Sequence, residues 1–253
     1  VVLPVVGDVT AGSRMHTRLQ PDQTVRVFTG AAMPALADAV VPLAWTDNGE
    51  TRVTINRRVN PGDFVRKVGD DVTPGDIAVR AGTIVGPAQV GLLAAVGRDK
   101  VLVHPRPRVS IISVGNELVD LDRIPGQGQV YDVASYALTA AALEAGAEVH
   151  RVGIVSTEPR AFRELVETQL LRSEIVVIAG AVGGIASEHV RNVLADLGEV
   201  EVERVAMHPG SVQGFGLLGA DQIPTFLVPS NAVSALLVFE LMVRPMIRIA
   251  LGK

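Results

Sequence analysis

The stretch Glu174-Ile-Val-Val-Ile-Ala-Gly-Ala-Val-Gly-Gly-Ile-Ala-Ser-Glu-His189 decides the fold. An unbroken apolar run, EIVVI, leads into glycines and then into a helical pattern. A strand that is apolar at every position, rather than at every second one, has both faces covered, as in a parallel sheet wrapped by helices. The glycine turn then sits where a helix N-terminus offers free amides, a place suited to an anion. Its spacing is not the dinucleotide fingerprint, and no Lys-Ser/Thr follows as in a P-loop. Ala179 to Gly184 is therefore a candidate phosphate turn of a different kind, or a tight turn alone.

The same rhythm extends in both directions. VSIISVG, VASYALTAAALEAGA, VHRVGIV, RAFRELVETQLL, SEHVRNVLADLG, VERVAM, PTFLVPS and a helix from Asn231 alternate strand and helix. That order predicts a parallel sheet with helices on both faces over 106–253. Ligands in such folds bind outside the carboxyl ends of the strands. The turns SVGNE, VSTEP, AGAVGG, MHPGS and VPSNA are thus expected along one edge, and function is sought there.

Upstream of Pro105-Arg106-Pro107 the texture differs, and 1–105 reads as a β-rich domain with a connecting segment. Its short runs are VVLPVVGDV, TVRVFTG, AVVPL, TRVTINRRV and FVRKVG. Asp47-Asn48-Gly49 predicts a hairpin turn, because Asn-Gly tolerates positive φ. A helix is expected from Pro87 to Val96, ended by Gly97. Arg57-Arg58 reads as a solvated strand surface.

Composition narrows the function classes. The 253 residues are 48% apolar, enough for a buried core, with a net charge of -4 and a pI of about 5.8. No basic field exists to hold a nucleic acid backbone. The absence of cysteine removes disulfides, thiolate metal sites and cysteine nucleophiles, and fits a reducing cytoplasm. Ala232 to Leu251 is the longest apolar segment, but Glu240, Arg244, Pro245 and Arg248 interrupt it, so it reads as a buried helix rather than a membrane span. VVLPVVGDV lacks the basic start of a signal peptide and begins mid-pattern, as a fragment would.

Candidate chemistry gathers in the turns. Asn116, Glu117 and Asp132, with Asp120 and Asp122 between them, offer oxygen ligands of the kind magnesium takes. Histidines 16, 104, 150, 189 and 208 show no zinc spacing. Ser113, Ser211, Ser230 and Ser234 lack a nucleophile-elbow context.

Six ordered motifs carry a resemblance: TGAAMPALADAVVP (29–42), VGDDVTPGD (68–76), ISVGNEL (112–118), GQVYD (128–132), MHPG (207–210) and VPSNAVSALLVF (228–239). Together they resemble the molybdopterin molybdenumtransferase family, which comprises bacterial MoeA and the E domain of gephyrin. The resemblance implies a MogA-like molybdopterin-binding α/β domain from about Arg108, preceded by a β domain, in a homodimer whose active sites borrow the partner's β domain. It also implies a further N-terminal segment and a C-terminal β-barrel domain.

Family members insert molybdate into adenylylated molybdopterin using magnesium. The threonine of the family's TGAP is kept as Thr29, the glutamate of STGDEL as Glu117 and the aspartate of GQIYD as Asp132. Other positions depart. Thr157 stands where the DDP turn has aspartate. SGGVSVGEADY reads AGAVGGIASEH here, with Ala179 for serine, Glu188 for aspartate and His189 for tyrosine. KPGKP reads His208-Pro209-Gly210-Ser211-Val212, without either lysine, and an earlier lysine is Arg204. LPGNPVS reads VPSNAVS, with Ser230 for glycine and Ala232 for proline.

Removing charge-assisted partners weakens a phosphate ligand by about 1.5–3 kcal/mol each. Two expectations follow. In the first, the chain is a catalytically impaired dimeric scaffold that binds a peptide segment of a partner protein. Gephyrin offers the analogy, with a membrane receptor or a tubulin-like cytoskeletal or division protein as partner. In the second it is a transferase, with Thr29, Glu117 and Glu188 catalytic and Glu117 and Glu188 holding magnesium. Asp132, Gly180, Gly183, Arg204, His208, Gly210, Ser230 and Asn231 then bind molybdopterin. A carrier that binds without turnover is a third. All place the chain in the cytoplasm, with no nucleic acid partner and no membrane insertion.

Overall fold

The computed structural model describes residues 1–14, 17–183 and 187–253. They form two compact units, Val1–Asp99 and Lys100–Lys253.

In the first unit β1 (Val2–Val9) lies between β2 (Thr24–Val27), parallel to it, and β3 (Arg52–Thr54), antiparallel to it. The Asn-Gly turn is present, with Asn48 at φ 57. Asp47 Oδ1 fixes it by accepting from the amides of Gly49 at 3.1 Å and Thr54 at 2.9 Å. Its first arm is not a strand, however. Residues 39–42 are irregular and run into a 3-10 turn at Leu43–Trp45, since Pro42 has no N–H to give a ladder. FVRKVG is not a strand either: Phe64 adopts φ 58, which no extended segment accommodates. The helix α1 (Pro87–Ala95) opens on a proline and is followed by Gly97 at φ 72.

The second unit holds β4 (Arg108–Val114), β5 (Leu118–Val119), β6 (Val130–Tyr131), α2 (Val133–Ala145), β7 (Glu148–Val155), α3 (Pro159–Leu170), β8 (Ile175–Val182), α4 (Ser187–Ala195), β9 (Gly198–Arg204), β10 (Val212–Leu218), β11 (Ile223–Pro229) and α5 (Ala232–Val238). A π-helical segment, Phe239–Val243, then leads into α6 (Arg244–Ala250). The main sheet has the order β7-β4-β8-β11-β10-β9, and β5 and β6 make a small parallel pair of their own.

The four strands β7, β4, β8 and β11 are parallel, as the sequence rhythm requires. The sheet is nonetheless mixed, because β10 runs antiparallel to both β11 and β9. Every residue of β8 is buried. Ile175, Val177 and Ala179 pack with α2 and the C-terminal helices, whereas Val176 and Ile178 pack with α3 and α4. That alternation is the period of two that sends successive side chains to opposite faces. At the sheet edge β9 exposes Glu199, Glu201 and Glu203 while Val200 and Val202 turn inward, so it is not apolar throughout.

The segment from Ala232 buries one stripe, Ala235, Val238, Phe239, Val243 and Ile247. Its other side exposes Val233, Leu241, Met242 and Ile249, so it is amphipathic rather than wholly buried. Arg244, largely buried, donates from Nη2 to Glu240 Oε1 at 2.7 Å. No helix among the described residues is long and apolar enough to cross a membrane.

Candidate functional site

Four of the five turns follow the carboxyl ends of β4, β7, β8 and β11. The fifth, MHPGS, joins β9 to β10 at the same edge, because Val212 pairs with Arg204 and Gly214 with Leu227. At this edge lies a cleft of about 430 Å³. Its polar lining includes Ser113, Glu117, Asp132, Ser230 and Asn231.

Asp132 is the buried carboxylate of this lining, 1% exposed, at the N-terminus of α2. Its Oδ1 accepts from Ser113 Oγ at 2.9 Å and from the Ser135 amide at 3.0 Å, and its Oδ2 accepts from Ser135 Oγ at 2.5 Å. Residues with short polar side chains are favoured at such caps because they satisfy helix amides left without partners. Asn231 does the same for α5, its Oδ1 accepting from the amides of Val233 and Ser234 at 3.1 Å each. Glu117 is exposed, and its carboxylate folds back over Gly115, where a β-carbon would stand 2.8 Å from Oε2. Here the missing side chain is what lets the carboxylate lie against the backbone.

The other candidates lie outside the lining of this cleft. Gly180 and Gly183 take φ of 87° and 81° at the end of β8. Gly184 lies outside the described residues, as does His16. Glu188 and His189 are exposed in the first turn of α4. Arg204 and His208 are exposed at the β9–β10 turn, where Arg204 Nη1 donates to Ser211 Oγ at 3.3 Å. Gly210 is buried against α5, its φ of 90° placing a would-be β-carbon 3.0 Å from Val238 Cγ2. Thr29 belongs to the first unit and lines a separate cavity there of about 410 Å³.

Three other polar residues near these turns have duties of their own. Thr157 Oγ1 donates to Asn116 Oδ1 at 3.3 Å, linking two of the turns. Glu158 caps α3, and the amides of Ala161 and Arg160 hold its carboxyl below the usual range. Asp120, offered by the sequence as a magnesium ligand, accepts from Tyr136 Oη at 2.6 Å and Arg151 Nη2 at 2.9 Å. Those partners bring its pKa to about 2 and occupy its oxygens. The sequence reading weighed Ser113 only as a nucleophile, and missed Ser135, Tyr136 and Arg151; the one signal for the last was a cation inside the strand run VHRVGIV.

Among the described residues no three His, Asp or Glu side chains gather as a metal site. With Asp132 already saturated by hydrogen bonds, Glu117 is the single carboxylate of the cleft lining open to a ligand. The described residues do not fit a resident magnesium held by the protein alone. Among the described residues no lysine, arginine or histidine lines the cleft.

Comparison with known proteins places this geometry. Residues 2–97 match the MoeA N-terminal region (domain I and II), and residues 110–249 match a probable molybdopterin binding domain. The chain is 66% identical, over all of its 253 residues, to molybdopterin molybdenumtransferase 1 of Mycobacterium tuberculosis, and covers 59% of that protein. It is 37% identical to molybdopterin molybdenumtransferase 2 of the same species, covering 63% of it. A solved molybdopterin biosynthesis MoeA protein from Pyrococcus horikosii superposes with a TM-score of 0.78 at 33% identity, over 100% of this chain and 63% of the other. The chain thus spans roughly three fifths of the relatives it matches. With both the N-terminal region and the pterin-binding domain matched in order, the chain belongs to the MoeA family of molybdopterin molybdenumtransferases.

Proposed function

We propose that this chain is the pterin-binding part of a molybdopterin molybdenumtransferase, which inserts molybdate into adenylylated molybdopterin. The observation that supports this reading best is the cleft at the carboxyl edge, lined by turns that carry Glu117, Asp132 and Asn231. The 66% identity to a protein of that name weighs the same way. Molybdopterin and molybdate are then substrates. Glu117 is the group open to them, Asp132 and Asn231 hold the helix starts that form the cleft wall, and Arg204 supplies positive charge at the β9–β10 turn, which also carries His208. Dimerisation and a cytoplasmic location belong to the same proposal.

The test is calorimetric titration of adenylylated molybdopterin into the full-length protein with magnesium, followed by molybdate and an assay of cofactor formation. Micromolar binding, with turnover abolished in Glu117→Ala, is the expected result. Absence of binding at millimolar ligand overturns the reading.

One observation favours a second reading, a dimeric scaffold that binds a partner peptide: among the described residues the cleft lining has no cation for a phosphate. The relatives named above lend it no support. A purified dimer that captures a defined peptide equally well as wild type and as Glu117→Ala, without binding the pterin, would establish it.

A further inference from the structure

Arg151, on β7, takes part in two ion pairs at once. Its Nη2 donates to Asp120 Oδ2 at 2.9 Å and to Tyr136 Oη at 3.1 Å. Its Nη1 donates to Ser135 Oγ at 3.1 Å and stands 3.9 Å from Asp132 Oδ2. The guanidinium carbon lies 4.0 Å from the centre of the Tyr136 ring, and Tyr136 Oη in turn donates to Asp120 Oδ1. A planar fork of donors suits this bridging in a way a lysine ammonium does not.

The backbone makes room for it. Ile111 pairs with Arg151 but Ile112 with Gly153, so β7 carries an extra residue there, and such bulges re-aim the side chains beside them. Gly153 takes φ 84, and a β-carbon on it would stand 3.5 Å from Arg151 Nη1 and 3.9 Å from Asp120 Oδ2.

What Arg151 grips matters for the cleft. Asp120 directly follows β5, and Glu117 directly precedes it. Asp132 directly follows β6. The two short strands are tied by Val130 N to Glu117 O at 2.8 Å and Asp132 N to Val119 O at 3.0 Å. Arg151 therefore holds the far end of the Glu117 segment, through Asp120, and the Asp132 carboxylate with one side chain.

We propose that Arg151 is a positioning residue that sets the separation of the two cleft carboxylates, Glu117 and Asp132, without touching the ligand. This rests on the reading of the cleft as the pterin site, so its test has one readout independent of that reading. In the full-length protein, amide exchange of Val130 and Asp132 reports the β5–β6 tie directly. The molybdate insertion assay reports its consequence. Arg151→Lys is expected to speed exchange of those two amides about tenfold relative to the core strands, and to leave KM within about twofold. It is expected to lower kcat about tenfold, the scale of effect that small misplacements of reacting groups produce.

Asp120→Asn, a change on the more exposed side of the network, should give the same pattern and serves where Arg151→Lys fails to fold. Unchanged exchange at Val130 and Asp132 in the folded variant overturns the proposal. Faster exchange with unchanged kcat overturns it as well, since the spacing would not then govern the chemistry. A wild-type protein without turnover would remove the transferase reading, and the exchange data alone would decide whether Arg151 holds the two segments.

Discussion

Gly180 lies so close to Val114 that a β-carbon on it would stand 2.0 Å from the Val114 carbonyl oxygen. Its φ of 87° is also one that side-chain-bearing residues rarely adopt. The glycine of the candidate phosphate turn is therefore required by the packing of β8 on β4 before any ligand is considered.

Gly183 separates the two effects. Its φ is 81°, yet among the described residues nothing stands within 4 Å of its would-be β-carbon. Gly183→Ala should cost about 1 kcal/mol, the backbone strain alone. Gly180→Ala adds the clash, for about 3 kcal/mol in all and a Tm lower by about 6–12 °C in a unit of this size. Thermal unfolding of the two variants checks this, and equal losses would show that the close approach of the strands is relieved by a shift of the backbone.

Asp120 gives the network around Arg151 a pH signature. Its folded carboxyl is lowered to about 2, chiefly by the Tyr136 hydrogen bond and then by Arg151. A depressed carboxyl contributes stability that is complete above its unfolded value, near 3.8, and is lost as pH falls through the folded one. Tyr136, donating to Asp120, is held above the usual phenol value of 10.0, so its contribution is complete below that value and is lost as pH rises past the folded one. Denaturant midpoints measured across pH should show Asp120→Asn flattening the acid limb between about pH 4 and 2 and Tyr136→Phe flattening the alkaline limb. Limbs that match wild type would mean that neither group is held as the geometry indicates.

Asn231 combines a structural duty with a place on the cleft. Asn231→Ala loses the acceptor for two helix amides and should destabilise the protein by about 1 kcal/mol. Asn231→Asp keeps the acceptor and places a negative charge at a helix N-terminus, which favours it, so stability should hold or rise slightly. That same charge faces the cleft and should weaken an anionic pterin ligand by about tenfold. Calorimetric binding beside thermal unfolding separates the two roles; a ligand that binds Asn231→Asp as well as wild type does not approach α5.

The sequence made some of this legible and hid the rest for identifiable reasons. β8 was plain, because eight residues covered on both faces leave an apolar run that nothing else explains. β10 went unread because Gly214 and Gly216 interrupt its apolar pattern. In the sheet they are small because the neighbouring strand is close: β-carbons on them would stand 2.9 Å from Glu201 O and 2.6 Å from Glu199 O. In the first unit, local propensity favoured strands at AVVPL and FVRKVG, and Pro42 and the positive φ of Phe64 prevailed. At the site, Glu117 and Asp132 were legible through their motifs. Arg151 was not, because its partners Asp120, Ser135 and Tyr136 lie 31, 16 and 15 residues away and meet it only through the fold, beside a register shift that the sequence does not display.

Thr157 offers a direct test of how much the altered turns limit catalysis. The resemblance places a carboxylate there, and Thr157 instead donates to Asn116 Oδ1 beside Glu117. Thr157→Asp would add a second open carboxylate at the carboxyl edge, and magnesium bound through one or two carboxylates and substrate phosphates needs no larger cage. A charge-assisted partner is worth about 1.5–3 kcal/mol, or roughly 10–150-fold in affinity. In the full-length protein, Thr157→Asp should tighten magnesium-dependent pterin binding within that range, while Thr157→Asn, neutral and of similar size, should not. Equal affinities of Thr157→Asp and wild type at saturating magnesium would mean that the present residues already hold the ligand fully, and that the threonine costs this protein nothing.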